Sequence, residues 1–192
     1  MQAPSKYREH PEYPRLLATM EQVLDRVRPW RGMVYRSALL QWADEQNMLN
    51  GLGSMKSGAR FNAPGTFPAL YTCTSPELVT IESLANQRRA GLPVYQSLPL
   101  IIRAIDAELG ILHFTDEAVL SAFATSFDEF RREPWWLFRG RGVEATTQAI
   151  RRAAHALGVQ AIQYPSAHTL EYGENIVIFL DNISRDQIKI CE

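Results

Sequence analysis

An α+β fold, with a mixed, strand-rich core flanked by helices, is what this sequence predicts, and three observations carry it. Apolar runs of strand length recur at residues 69–73, 100–105, 111–114, 159–163 and 175–180. Helical spacing of apolar residues is confined to a few separate segments. The two kinds of segment do not alternate regularly, which argues against a doubly wound parallel sheet.

Taken in order, residues 1–14 are polar and proline-broken and read as a loose arm. From Arg15 onward, Leu16, Leu17, Met20, Val23, Leu24 and Val27 keep helical spacing until Pro29. Residues 33–35 (MVY) suit a short strand leading into Arg36. Residues 37–49 carry helical spacing in Ala38, Leu39, Trp42 and Ala43 but remain ambiguous, and they dissolve into a loop over 50–58. After the run at 69–73, Ser75-Pro76-Glu77 forms a compact helix start: a capping hydroxyl, a proline for the first turn and an acid at the positive end. On that helix Leu78, Ile81, Glu82 and Ala85 share one face. Residues 91–99 read as a loop, and 100–105 and 111–114 as two strands. A helix opens at Thr115-Asp116-Glu117 and runs through Ala124, with Leu120 and Phe123 in the core. Residues 133–142 (EPWWLFRGRG) form a connection whose Trp135 and Trp136 can stack a ring or pack beneath it. A helix over 144–157 ends at Gly158. Strands follow at 159–163 and 175–180, and a closing one at 187–190.

Composition narrows the function classes. The 192 residues are 46% hydrophobic with a formal net charge of −1, enough for one domain with a proper core. Such a balance creates no global field toward nucleic acid or anionic lipid, so neither is expected as a direct partner. No apolar run approaches the ~20 residues of a membrane span. Two cysteines, Cys73 and Cys191, make no disulfide framework, and a reducing cytoplasm fits best. Four scattered histidines give no metal-ligand spacing. The loop GLGSMKSG invites two nucleotide readings and satisfies neither. Its glycines lack the third position of a dinucleotide fingerprint, and Ala59-Arg60 stands where a phosphate loop needs Lys-Ser/Thr.

The chemistry concentrates where polar groups end otherwise apolar runs: Arg36, Arg60, Glu82 and Ser166. A carboxylate on a core-facing helix stripe is costly unless it has a partner or a task. Glu82 occupies such a stripe. In isolation, Glu82 reads as an edge residue, Arg36 as a surface charge, Tyr71 as a core tyrosine and Ser166 as a turn cap. Arg60, Tyr71 and Glu82 come from a loop, a strand and a helix that must pack together, and this favours a shared site.

These positions sit in VYR (34–36), GARFNAPG (58–65), ALYTCTSPELVTIE (69–82) and QAIQYPSAH (160–168), with NIVIF (175–179) closing the set. In order and spacing the chain resembles the RES domain family over roughly residues 29–190. It departs at Ala59, where a second glycine is usual, and at Phe61, where tryptophan is common. The resemblance implies a compact ADP-ribosyltransferase-like fold over 29–192, with residues 1–28 as an N-terminal arm and add-on helix. It implies an NAD-degrading toxin that cleaves the nicotinamide–ribose bond, with inorganic phosphate as co-substrate and ADP-ribose 1″-phosphate as product. NAD is then a substrate, and no tightly bound cofactor or metal is expected. A cognate antitoxin with a helix-turn-helix part is the implied partner, and self-association into a homo-oligomer stays open. The residues suit this chemistry. Glu82 can stabilise an oxocarbenium-like ribose or hold its hydroxyl. Arg36 and Arg60 can contact the diphosphate. Tyr71 offers a ring face or a hydroxyl, and Ser166 a hydroxyl donor. Transfer of ADP-ribose to a protein or nucleic-acid group, and a non-catalytic nucleotide- or partner-binding domain, are the alternatives.

Overall fold

The apolar runs condense into a ring of strands in the computed structural model, which describes residues 7–191 with the exception of 90, 92, 94, 96 and 97. Its strands are β1 (Arg28–Leu39), β2 (Ala69–Cys73), β3 (Leu100–His113), β4 (Ala161–Pro165) and β5 (Glu174–Phe179). They bond in the order β1-β2-β5-β4-β3, and β3 pairs back with β1. A sixth strand, β6 (Ile188–Ile190), adds to β3. Only β3 and β4 run parallel; the other pairs are antiparallel. The β1–β2 closure rests on one pair, Tyr35↔Cys73. The helices among the described residues are α1 (Tyr13–Gln22), α2 (Glu45–Met48), α3 (Leu52–Ser57), α4 (Pro76–Arg89), α5 (Glu117–Ala122), α6 (Phe127–Arg132), α7 (Trp135–Gly140) and α8 (Thr146–Ala156).

Alternation along each strand sends neighbouring side chains to different cores. On β5, Val177 and Phe179 join Leu16 and Met20 of α1 and Ala153 of α8. Ile176 and Ile178 pack instead with Val34, Leu70 and Ile105. With both faces dry, β5 has to be written as an unbroken apolar run, which is how NIVIF reads. Strand β2 divides in the same way, with Ala69 in the first cluster and Leu70 in the second.

Several elements differ from their sequence reading, each for a local reason. The two strands expected at 100–105 and 111–114 are one, because β3 continues through Asp106–Gly110 against β1. Strand β1 likewise runs through Pro29 rather than starting at Met33. Its partner Gly110 turns its N–H to Gln160 Oε1, 2.7 Å away, on the side opposite β1. Pro29 and Gly110 therefore form a non-hydrogen-bonded pair, and the missing proline N–H costs the ladder nothing. The loop expected at 50–58 contains α3, and the connection at 133–142 contains α7. Gly51 fits at the start of α3 because a Cβ there would lie 2.3 Å from the Ala69 nitrogen.

The expected loose arm is tied down over its described part. Arg8 exchanges backbone bonds with Gly142 and Glu144, both 2.9 Å, and His10 N–H donates to the Glu144 carboxylate at 2.9 Å. Glu144 is 3% exposed and takes a two-point bond from Arg152, 2.9 Å at each oxygen. Residues 1–6, and part of the loop expected at 91–99, lie outside the described residues.

Candidate active site

Glu82 stands on α4, whose start is set by Ser75: its hydroxyl accepts from Leu78 N–H at 3.1 Å. Leu78 and Val79 seat the helix on β1 and β2 beside Cys73. One turn later the Glu82 side chain is 21% exposed, reaching a cleft without leaving the protein surface. Its Oε1 accepts from Ser166 Oγ at 2.7 Å and from Asn175 Nδ2 at 2.9 Å. Its Oε2 has no hydrogen bond among the described residues and lies 3.8 Å from His168 Nε2. One carboxylate oxygen is thus fixed by the protein, and the other faces the open side.

Both donors are themselves held. Ser166 is fully buried, and its oxygen accepts from His168 N–H at 3.0 Å and Thr169 N–H at 3.3 Å. With its lone pairs so engaged, its proton points at Glu82. Asn175 is the second residue of β5, and its Oδ1 accepts from Cys73 Sγ at 3.1 Å. Burial, reinforced by Glu82, pushes the Cys73 thiol up. Cys73 is a donor in this chain of bonds, not a thiolate nucleophile.

Arg60 comes from a tight hairpin in which Ala59 and Asn62 exchange backbone bonds of 2.8 and 3.3 Å. Gly58 enters it at φ +68°, with Pro64 2.7 Å from where a Cβ would sit, so only glycine fits. Ala59 has no positive φ, and alanine there is unstrained. The first turn of α8 grips the hairpin: Thr147 Oγ1 donates to the Arg60 carbonyl at 3.0 Å and Gln148 Nε2 to that of Ala59 at 2.8 Å. Glu133 in turn caps α8, accepting from Thr146 and Thr147 N–H at 2.8 Å each. Arg60 is 8% exposed, its guanidinium among the rings of Phe61, Phe130 and Tyr164 and donating to the Phe130 carbonyl. Burial pushes it down from the usual arginine range, while Tyr164, Glu133 and Glu82 pull the other way. Its Nε is buried without a hydrogen-bond partner.

Tyr71 connects the hairpin to the core. Its hydroxyl donates to Asn62 Oδ1 at 2.7 Å and accepts from Phe61 N–H at 3.1 Å and Arg151 Nη1 at 2.9 Å. Burial keeps it a phenol, its pKa raised. Arg151 is fully buried and lies against Phe61, Phe67, Tyr71 and Phe179, the last with its centroid 4.5 Å away.

Of the residues singled out in the sequence, Arg36, Arg60, Tyr71 and Glu82 line one cleft of about 970 Å³. Ser166 does not line it; it stands behind Glu82. Arg36 lies within β1 and gives Nη1 to the carbonyls of Met48 and Asn50, 2.7 Å each, and burial pushes its pKa down to about 10. Five arginines and two glutamates line the cleft, giving it a cationic excess that the whole chain lacks. Asn175, His168 and Arg151 escaped the sequence reading as site residues. Asn175 carried a usable signal, the polar first residue of an apolar run; Arg151, one of two adjacent arginines on a helix, carried none. Among the described residues no cluster of side chains is suited to a metal ion, and no helix is long and apolar enough to cross a membrane.

A closed ring of strands that offers a fixed carboxylate to an arginine-lined cleft defines an α+β domain suited to an anionic ligand. The RES domain model matches residues 29–190, and the chain belongs to the RES domain family. In fold it is similar to the crystal structure of the M. tuberculosis MbcT–MbcA toxin–antitoxin complex, with TM-score 0.73 and 21% identity over 92% of this chain and 89% of that one. No curated protein matches it.

Proposed function

We propose that this chain is an NAD-consuming enzyme that breaks the nicotinamide–ribose bond, and that it acts as the toxin of a toxin–antitoxin pair. The observation that carries the reading is Glu82: one oxygen locked by Ser166 and Asn175, the other facing a cleft rich in arginine. As the bond between C1″ and the ring nitrogen breaks, its electron pair leaves with neutral nicotinamide. Positive charge then builds on the ribose. A carboxylate already oriented and partly desolvated stabilises that charge without reorganising. In phosphorolysis an oxygen of inorganic phosphate forms the new bond to C1″, giving ADP-ribose 1″-phosphate; in hydrolysis water does so and releases a proton. The cationic lining supports phosphate as the nucleophile. Incubation with NAD, with and without phosphate, followed by mass-spectrometric identification of products, tests this. ADP-ribose 1″-phosphate and nicotinamide are expected, and NAD left intact contradicts the reading. ADP-ribose found on a macromolecule, with no free product, reassigns the chemistry to transfer.

The toxin role is supported by the family and by the fold shared with a toxin–antitoxin complex. A cognate antitoxin, with a helix-turn-helix part for DNA, is the partner it calls for.

A further inference from the structure

Ser166 ties two side chains of the cleft to one atom. Its Oγ donates to Glu82 Oε1 at 2.7 Å and accepts from the backbone N–H of His168 at 3.0 Å and of Thr169 at 3.3 Å. The same buried hydroxyl therefore places both the carboxylate and the turn that carries His168. That turn sets the His168 ring on the cleft wall, with Nε2 3.8 Å from Glu82 Oε2. The two atoms are too far apart to bond each other, yet an oxygen can stand about 2.8 Å from both. Their side chains are 27% and 21% exposed, open to a solute and largely shielded from bulk water. A carboxylate only accepts, whereas Nε2 donates as N–H in the imidazolium and in one neutral tautomer. The pair is thus matched to a group that offers a hydroxyl beside an anionic oxygen. Hydrogen phosphate is such a group. Arg36 and Arg60 are already committed to backbone carbonyls, and Arg60 is nearly buried.

From this we infer that His168 seats the incoming inorganic phosphate against Glu82. Its Nε2–H donates to a phosphate oxygen, and the hydroxyl of the same hydrogen phosphate donates to Glu82 Oε2. The inference rests on the NAD reading above and deepens it by assigning the acceptor side of the site. Glu82 alone repels a phosphate dianion; the hydroxyl bond and the imidazole donor turn that contact into an attractive one. The phosphate is then held beside the carbon that loses nicotinamide. The C1″–N bond breaks with its electron pair going to nicotinamide, and a phosphate oxygen supplies the pair for the new C1″–O bond. The phosphate keeps its proton, so the step needs no base. Without a donor at 168, Glu82 stays in place but nothing holds phosphate against it, and water takes over as nucleophile.

His168→Ala and His168→Gln in the full chain test this. Both keep the backbone N–H that Ser166 accepts, and glutamine restores a side-chain N–H of similar reach. KM for phosphate rises about tenfold in His168→Ala, the scale of one charge-assisted hydrogen bond, and recovers in His168→Gln, while KM for NAD stays within about twofold. At fixed phosphate, the ratio of ADP-ribose 1″-phosphate to ADP-ribose falls about tenfold in His168→Ala. An unchanged KM for phosphate, or a KM for NAD that rises as far, overturns the inference. A second measurement needs no turnover. In proton–nitrogen NMR spectra of the four histidine rings, the signal missing from both variants identifies His168. Inorganic phosphate shifts that signal saturably, and chloride at equal pH and ionic strength does not. A signal indifferent to phosphate overturns the seat even where NAD is consumed. A phosphate-responsive signal in a parent that leaves NAD intact upholds the seat and removes the enzymatic reading instead.

Discussion

Arg151 poses the sharpest question at the scale of single residues. A fully buried guanidinium with Nε and Nη2 unbonded is an expensive choice when its surroundings are four aromatic rings and one tyrosine hydroxyl. Burial pushes its pKa down, opposed by Tyr71 and Tyr164. Packing alone does not require it, since an unbranched apolar side chain fills similar space. What it adds is a fixed third bond to the Tyr71 oxygen, which already holds Phe61 and Asn62, the two residues that follow Arg60 in the hairpin. Arg151→Met is expected to keep or raise the thermal midpoint, because replacing a buried charge by a similar apolar volume is often neutral or stabilising by about 1–4 kcal/mol. The same variant raises KM for NAD as the hairpin loses its anchor. Arg151→Ala, which leaves a cavity, lowers the midpoint. A midpoint that falls as far in Arg151→Met as in Arg151→Ala would show that the charge itself stabilises the fold.

Helix α1 illustrates what element-level reading captures and what it misses. The repeat in Leu16, Met20 and Val23 made the helix legible, while the resemblance, which starts at residue 29, implied only that it packs as an add-on. Leu16 and Met20 are fully buried in the same cluster as Phe61 of the site hairpin, and Tyr13 lies on Arg152 with the guanidinium 3.4 Å from its ring. The helix is therefore part of the roof over α8, the element that holds Arg60. Leu16→Ala should cost about 2–5 kcal/mol, the usual range for emptying a core leucine site, read as a lower midpoint in denaturant. A loss below about 1 kcal/mol would mark α1 as peripheral. Other elements were hidden by local composition. Glycine at 110 and proline at 29 signalled breaks in strands that in fact run on, because a long pairing supplied the context. Helix α7 is six residues long, too short for a period to declare itself. Glu82 and the strand at Ala69–Cys73 were readable because each stood out from its local pattern. That Ser166 and Asn175 bind Glu82 was not readable, although Ser166 was singled out, since they reach it from 84 and 93 residues away.

Across the whole molecule, charge is distributed unevenly. A chain of net charge −1 gathers five arginines around one cleft and leaves Glu82 as the acid with an oxygen facing it. Strands β2, β4 and β5 and helices α4 and α8 deliver the site from distant parts of the chain, so its geometry depends on the closed ring. That dependence makes a conservative change at the centre the most informative one. Glu82→Gln keeps the carbonyl that accepts from Ser166 and Asn175, and exchanges only the charged oxygen facing the cleft. Turnover of NAD by this variant, measured beside the parent on folded protein, is predicted to fall at least ~100-fold while ADP still binds, as expected for the loss of one transition-state electrostatic contact. A folded Glu82→Gln protein that consumes NAD at the parent rate would contradict the account.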